Sequence, residues 1–217
     1  MGKKFDLLTG TRVLEEVESP VNGKVRVVQS IAWGNHVQVG KLTQSGGVVF
    51  DVWQATLRKV RKMKPEIQDC LILGLGGGSA ARLVRRYWKE AEIIGVEIDP
   101  IMIDLGMRYL GLSRLGVDIK VEDAREFAKN QVKDNKKYDL VLVDVYVGDK
   151  VPEDFEKDEF IELAKKLVND DGLIVFNRLF YGEKKGEAFL FRKKLEKYFP
   201  NITPVYPEAN VMFVCQK

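Results

Sequence analysis

The chain has 217 residues, 45% of them hydrophobic and 31% charged, a balance that excludes a disordered or fibrous protein and allows a sizeable buried core. At about 100–200 residues per domain, that is one domain with roughly 60 residues to spare. The net charge of +3, from 35 basic and 32 acidic residues, is too even for a dedicated nucleic-acid binder. Two cysteines, Cys70 and Cys215, and the lone His36 build neither a disulfide framework nor a zinc site, so no metal is expected and a reducing, cytoplasmic setting is. The segment MGKKFDLLTG lacks the apolar stretch of a signal peptide, and Asp6 stands where a myristoylation motif needs Ser or Thr. No apolar run approaches the ~20 residues of a membrane span.

Residues 11–45 read as short strands. VLEEVES, KVRVVQS and HVQVGKL alternate apolar and polar residues. Asn22-Gly23 signals a type I′ hairpin turn between the first two, Trp33-Gly34-Asn35 a second turn, and TQSGG closes the region. His36 falls on an exposed strand position. VVFDVWQATLRKVRKMK reads as a helix with Val52, Thr56 and Val60 on one face, stopped by Pro65.

From Asp69 onward strands and helices alternate. LILGLG, EIIGVEID, VDIKVED, YDLVLVDVY and GLIVFNRLF are the strands. SAARLVRRYWKE, PIMIDLGMRYL, AREFAKNQ, FEKDEFIELAKKLV and GEAFLFRKKLEKYF are the helices that follow them. ITPVYPEANVMFVCQK ends the chain as two strands with no helix between. Repeated βα units imply a mostly parallel sheet covered on both faces, and the last strand pair an antiparallel edge. In this order Cys70 begins the first core strand and Cys215 ends the last, too far apart to bridge.

Gly74-Leu75-Gly76-Gly77-Gly78-Ser79 follows the first core strand and opens a helix. Glycines there let the backbone approach a ligand, and the helix start offers free N–H groups. Glu97 ends the second strand about 20 residues on, where a carboxylate accepts hydrogen bonds from both hydroxyls of a ribose. The same run also suits packing alone, or a nicotinamide dinucleotide. Two further acids favour S-adenosylmethionine. Asp123 follows the third strand, where it either accepts from an adenine amino group or caps the next helix. Asp144 ends the fourth strand, at the cleft of an open α/β sheet or in a plain turn.

LILGLGGGSA, GVEIDP, VEDAREF and KYDLVLVDVYV, with VLEEVESPVNGKVRVV and GKLTQS before them, resemble the motifs of the spermidine synthase-like branch of the class I S-adenosylmethionine-dependent methyltransferase superfamily. The resemblance covers nearly the whole chain. It implies an α/β fold: a Rossmann-like seven-stranded sheet, parallel with an antiparallel C-terminal strand pair, preceded by a small N-terminal β-strand region. Residues 1–47 would be that antiparallel β region, 48–68 a connecting helix, and 69–217 the Rossmann-like domain that binds S-adenosylmethionine. By the same resemblance, Gly74, Gly76 and Gly78 line the methionine part of the ligand, Glu97 binds ribose and Asp123 the adenine amino group. Asp144 faces the reacting centre, Gln44 matches a family glutamine near the ligand, and a homodimer is expected.

The departures are as informative. Aminopropyltransferases of this family carry an aspartate directly after the glycine run, where this chain has Ser79. Their D-S/T-S/T-D box reads here Asp144-Val145-Tyr146-Val147, and their aromatic–polar–Glu sequence reads Val52-Trp53-Gln54. Missing three acids argues against holding a polyamine cation. The expectation is methyl transfer from S-adenosylmethionine to an unidentified small-molecule acceptor. Asp144 would orient or deprotonate that acceptor; Tyr146 either lines its pocket or is a packed aromatic with a solvated hydroxyl, and Asp149 is a turn residue unless it lines the pocket too. The alternatives are aminopropyl transfer from the decarboxylated donor, a non-catalytic nucleoside-binding protein and a nicotinamide-dependent oxidoreductase. An RNA acceptor would use Arg58, Lys59, Arg61, Lys62, Lys64, Arg82, Arg85, Arg86 and Lys89, with Tyr87 and Trp88 interleaved, if their two helices are neighbours. Two solvated helix faces, with the aromatics in the core, is the plainer alternative.

Overall fold

The computed structural model describes residues 10–217; residues 1–9, Asp6 among them, lie outside the described residues. The elements run β1 (Thr11–Ser19), β2 (Gly23–Ser30), β3 (Gly34–Val39), β4 (Leu42–Gly46), α1 (Gly47–Met63), β5 (Asp69–Leu73), α2 (Ser79–Tyr87), β6 (Glu92–Glu97) and α3 (Pro100–Tyr109). They continue with β7 (Val117–Val121), α4 (Ala124–Lys133), β8 (Tyr138–Val143), α5 (Asp158–Lys166), β9 (Val168–Leu179), α6 (Lys184–Leu195), β10 (Asn201–Val205) and β11 (Asn210–Gln216).

Strands β1 to β4 pair in chain order as an antiparallel sheet. Their alternation turns Val25, Val27 and Val37 inward, where they meet Met102, Leu105 and Leu110 on and just after α3. A four-stranded sheet with one apolar face needs such a partner to be stable. Arg108 of α3 pairs with Glu15 of β1 at 2.5 Å, and the Tyr109 hydroxyl donates to the same carboxylate at 2.7 Å.

Three expectations for this region are corrected. TQSGG does not merely close it, because Leu42–Gly46 pairs with β3 as a fourth strand. The Asn22-Gly23 turn is not type I′, since only Gly23 has positive φ (63°) and that turn needs two such residues. Ser19 stands opposite Gly23, and its hydroxyl accepts the N–H groups of Val21 and Asn22. His36 is buried, at 3% exposure. It pairs in register with Gly46, where a side chain would crowd it: a Cβ there would lie 3.1 Å from His36 Cα.

The larger sheet has the order β10-β11-β9-β8-β5-β6-β7. Strands β5 to β9 are parallel, and β11 runs antiparallel between β9 and β10. Period-two alternation on β5 gives the sheet two apolar faces. Leu71 and Leu73 join the core with residues of α4, α5 and α6, while Cys70 and Ile72 join that of α1 and α2. Both cysteines are free and buried, with β8 and β9 between their strands. Helix α1 buries Val52, Trp53, Thr56, Leu57 and Val60, and the Thr56 hydroxyl is satisfied by Val52 O.

Helices α1 and α2 are neighbours, but several of their cations are engaged within the chain. Arg85 donates to the carbonyls of Leu115 and Ala91, Lys64 pairs with Asp171 at 2.7 Å, and Arg61 lies over the Tyr87 ring. Trp88 is buried and donates to Pro65 O. Among the described residues no helix is long and apolar enough to cross a membrane.

Candidate active site

Strand order reverses between β5 and β8. In an open α/β sheet the ligand cleft forms there, beyond the carboxyl ends of the strands. A cavity of about 510 Å³ occupies that place, well within the size range of small-molecule sites. It is roofed by Gln44 and Ser45 of β4 and by Val49, Val52 and Trp53 of α1. Its floor includes Gly74, Gly76, Ser79, Glu97, Asp123, Asp144 and Tyr146.

The glycine loop is shaped by protein on every side. Gly74 has φ 89°, and a Cβ on it would strike the carbonyl of Asp144, so this glycine lets the β5 turn press against the end of β8. Gly76 donates its N–H to Glu97 Oε2 at 2.7 Å, and Gly77 donates to Ser45 Oγ at 2.8 Å. Gly78 does not line the cavity. Its φ of 91° turns the chain into α2, with Leu112 where a Cβ would go. Ser79 lines the cavity, but its hydroxyl accepts the Gly46 N–H at 2.7 Å and thereby ties α2 to the start of α1.

Glu97 ends β6 with Oε1 on the Asp99 N–H at 3.0 Å and Oε2 on Gly76. Each oxygen keeps a second lone pair, and the side chain lines the cavity. Burial pushes this carboxyl above the usual range, and the backbone N–H groups of Asp99 and Gly76 pull it part of the way back. Asp123 is a helix cap that also faces the cleft. Its Oδ1 caps α4 through the N–H groups of Arg125 and Glu126, at 2.9 Å each, and the residue lines the cavity.

Asp144 is held from two sides. Trp53 Nε1 donates to Oδ2 at 2.9 Å, and Asn177 Nδ2 donates to Oδ1 at 2.7 Å. Asn210 Nδ2 in turn donates to Asn177 Oδ1 at 2.8 Å. Burial raises the Asp144 carboxyl, opposed by those two donors and by the charge of Arg178. The Tyr146 hydroxyl donates to Asn177 O at 3.3 Å and accepts the Leu179 N–H at 3.0 Å. Its proton and one of its lone pairs are therefore engaged by β9, and the ring stands as a cavity wall. Gln44 Nε2 donates to Gly148 O at 2.8 Å and closes the rim between β4 and the loop after β8. Asp149 does not line this cavity.

Sequence reading did not single out Asn177 and Asn210, and noted Trp53 only as part of a motif remnant. Asn177 carries a usable signal, because it interrupts the apolar run GLIVFNRLF, and a polar residue buried in a strand needs partners. Glu208 also lines the cavity, with a left-handed φ of 49° that nothing in its sequence context signals. Among the described residues no group of three or more His, Cys, Asp or Glu side chains could hold a metal ion.

The family model of the spermine/spermidine synthase domain matches residues 54–217. The chain belongs to this family. A polyamine aminopropyltransferase of Vibrio vulnificus is 32% identical over 114 residues, covering 52% of this chain and 38% of that protein. The eEF1A lysine and N-terminal methyltransferase homolog of Drosophila melanogaster is 26% identical over 236 residues, covering 95% of this chain and 34% of that protein. The chain thus spans little more than a third of the length of either relative. Among solved structures, spermidine synthase from Thermotoga maritima aligns with a TM-score of 0.77 at 18% identity, covering 94% of this chain and 72% of that one. Human Methyltransferase-like protein 13 in complex with SAH aligns with a TM-score of 0.63 at 20% identity, covering 78% and 79%. At the three positions where the resemblance leads one to expect acids, this chain has Ser79, Val147 and Gln54, of which Ser79 and Val147 line the cavity.

Proposed function

We propose that this spermidine synthase-family chain is a methyltransferase that uses S-adenosylmethionine and acts on a small-molecule acceptor. The observation that carries this is Ser79. At the position where aminopropyltransferases have a carboxylate for the amino group of the decarboxylated donor, this cavity has a hydroxyl already engaged by Gly46 N–H. The carboxylate-bearing donor meets no like charge there. The Drosophila methyltransferase homolog, matched over 95% of the chain, supports the same chemistry.

The residues present fit the nucleoside. Glu97 would accept from the ribose hydroxyls through its remaining lone pairs, Asp123 stands on the same wall, and about 510 Å³ is ample. When bound, S-adenosylmethionine supplies a methyl group activated by its sulfonium. The protein's work is then orientation and exclusion of water. Val49 and Val52 of α1 and the ring of Tyr146 provide apolar walls. Asp144 orients the acceptor's attacking atom and receives its proton, while Trp53 and Asn177 fix both carboxylate oxygens.

Aminopropyl transfer is the second reading, favoured by the Vibrio relative and by Glu126, Asp154 and Glu208 on the cavity wall. Calorimetric titration with S-adenosylmethionine and with its decarboxylated form separates the two. Methyl transfer requires tighter binding of the carboxylate-bearing donor, and preference for the decarboxylated form would reverse the assignment.

A further inference from the structure

Tyr146 and Leu179 line the cleft on one side and a second cavity, of about 180 Å³, on the other. Methyl transfer gives this smaller space no task. Its buried charge is Arg178 of β9, the residue after Asn177, at 4% exposure. The guanidinium is fixed in place: Nη1 donates to Asn177 O at 2.7 Å, and the Phe191 ring lies 3.6 Å from its central carbon. Nε and Nη2, however, have no hydrogen-bond partner. Those two nitrogens share one edge of the planar group, the edge that takes both oxygens of a carboxylate or phosphate side by side. Glu156 approaches it, with Oε1 3.5 Å from Nε, but makes no hydrogen bond.

Glu156 thus offsets part of the charge as an ion pair, but two buried N–H groups left without acceptors are unfavourable unless something completes them. The cavity has room, since one water occupies about 30 Å³ of liquid. Lys150 is the second cation of its lining that is not paired with Glu187. Of its acids, Glu187 is paired with Lys184 at 3.0 Å, leaving Glu156 and Asp149. We propose that this cavity binds one carboxylate or phosphate group, received by Nε and Nη2 of Arg178 and bordered by Lys150. The ligand is either a free small anion or an acidic group of a larger molecule; the anion chemistry is common to both. Because Arg178 holds the backbone of Asn177, and the Asn177 side chain holds Asp144, occupancy would be felt at the acceptor end of the cleft.

The test follows thermal unfolding and calorimetry of the full chain at constant ionic strength, replacing chloride by acetate or by inorganic phosphate. A saturable rise in midpoint with one-to-one binding heat is expected for at least one of them. Preference for acetate assigns a carboxylate, and preference for phosphate a phosphoryl group. Arg178→Met, which keeps the bulk without the charge, should weaken binding at least tenfold. Glu156→Gln removes the competing carboxylate and should tighten it several-fold. If Arg178→Met does not fold, Glu156→Gln still decides. Absence of saturable binding in both the wild type and Glu156→Gln, or binding that survives in Arg178→Met, overturns the site.

Discussion

Burial resists the charge of Glu97, and that gives the cleft a predictable response to acid. Its carboxyl is raised by desolvation, so the folded chain takes up this proton at a higher pH than the unfolded chain does. Stability from this group is therefore present at low pH and is lost as pH rises from the usual carboxylate range through the raised value. Nucleoside binding needs the ionised form and runs the other way, strengthening through the same window. A titration of S-adenosylmethionine affinity against pH should rise there, and Glu97→Gln should flatten it. Glu97→Ala should cost about 10- to 100-fold in affinity, the worth of hydrogen bonds to a charged group. Asp144 is expected to act on turnover. Asp144→Asn should lower kcat by about 10²–10⁴-fold with a smaller change in KM. Trp53→Phe keeps an aromatic side chain and removes one donor from Oδ2. That donor lowers the Asp144 carboxyl, so its loss should move the acidic limb of the kcat profile to higher pH.

Among the elements, β4 carries more of the site than its five residues suggest. Ser45 accepts the buried N–H of Gly77, Gln44 ties down Gly148, and Gly46 meets Ser79. Ser45→Ala would leave the Gly77 N–H without its partner and should destabilise the fold by about 1–3 kcal/mol, read from urea unfolding. Alternation alone did not mark β4 as a strand, although GKLTQS resembles the family's N-terminal strands. TQSGG is glycine-rich and lacks the alternation of β2 and β3, so its strand state comes from pairing with β3 and not from local preference. The repeating βα units were legible because short apolar runs such as LILGLG and YDLVLVDVY alternate with stretches of helical spacing. The buried state of His36 was not, because its space is created by Gly46, ten residues away on the next strand. The acids at strand ends could be read from order alone. Their partners could not, since Trp53 and Asn177 lie 91 and 33 residues from Asp144.

Seen as one molecule, the residues beyond a single domain's usual complement form a small sheet with no second apolar layer of its own. Val25, Val27 and Val37 rely on Met102, Leu105 and Leu110, and Glu15 of β1 is bound to Arg108 of α3. The whole should therefore unfold in one step. Far-ultraviolet circular dichroism and tryptophan fluorescence should give coincident denaturant curves; an earlier separate transition of the small sheet would contradict this. Leu105→Ala, at the shared interface and fully buried, should lower that single midpoint by about 2–5 kcal/mol of stability.

Asp99 sets a condition on how this architecture can be recombined. Its carboxylate caps α3 at Ile101 and accepts from Ser19 and Asn22 of the first hairpin. Its own N–H meanwhile orients Glu97. A chimera that exchanged the small sheet for one from another family member would have to bring a matching pair of donors to Asp99. Otherwise it would inherit a foreign lid and a misaligned ribose carboxylate together. The hairpin and the nucleoside acid are in this sense a single unit of inheritance, although they lie far apart in the chain.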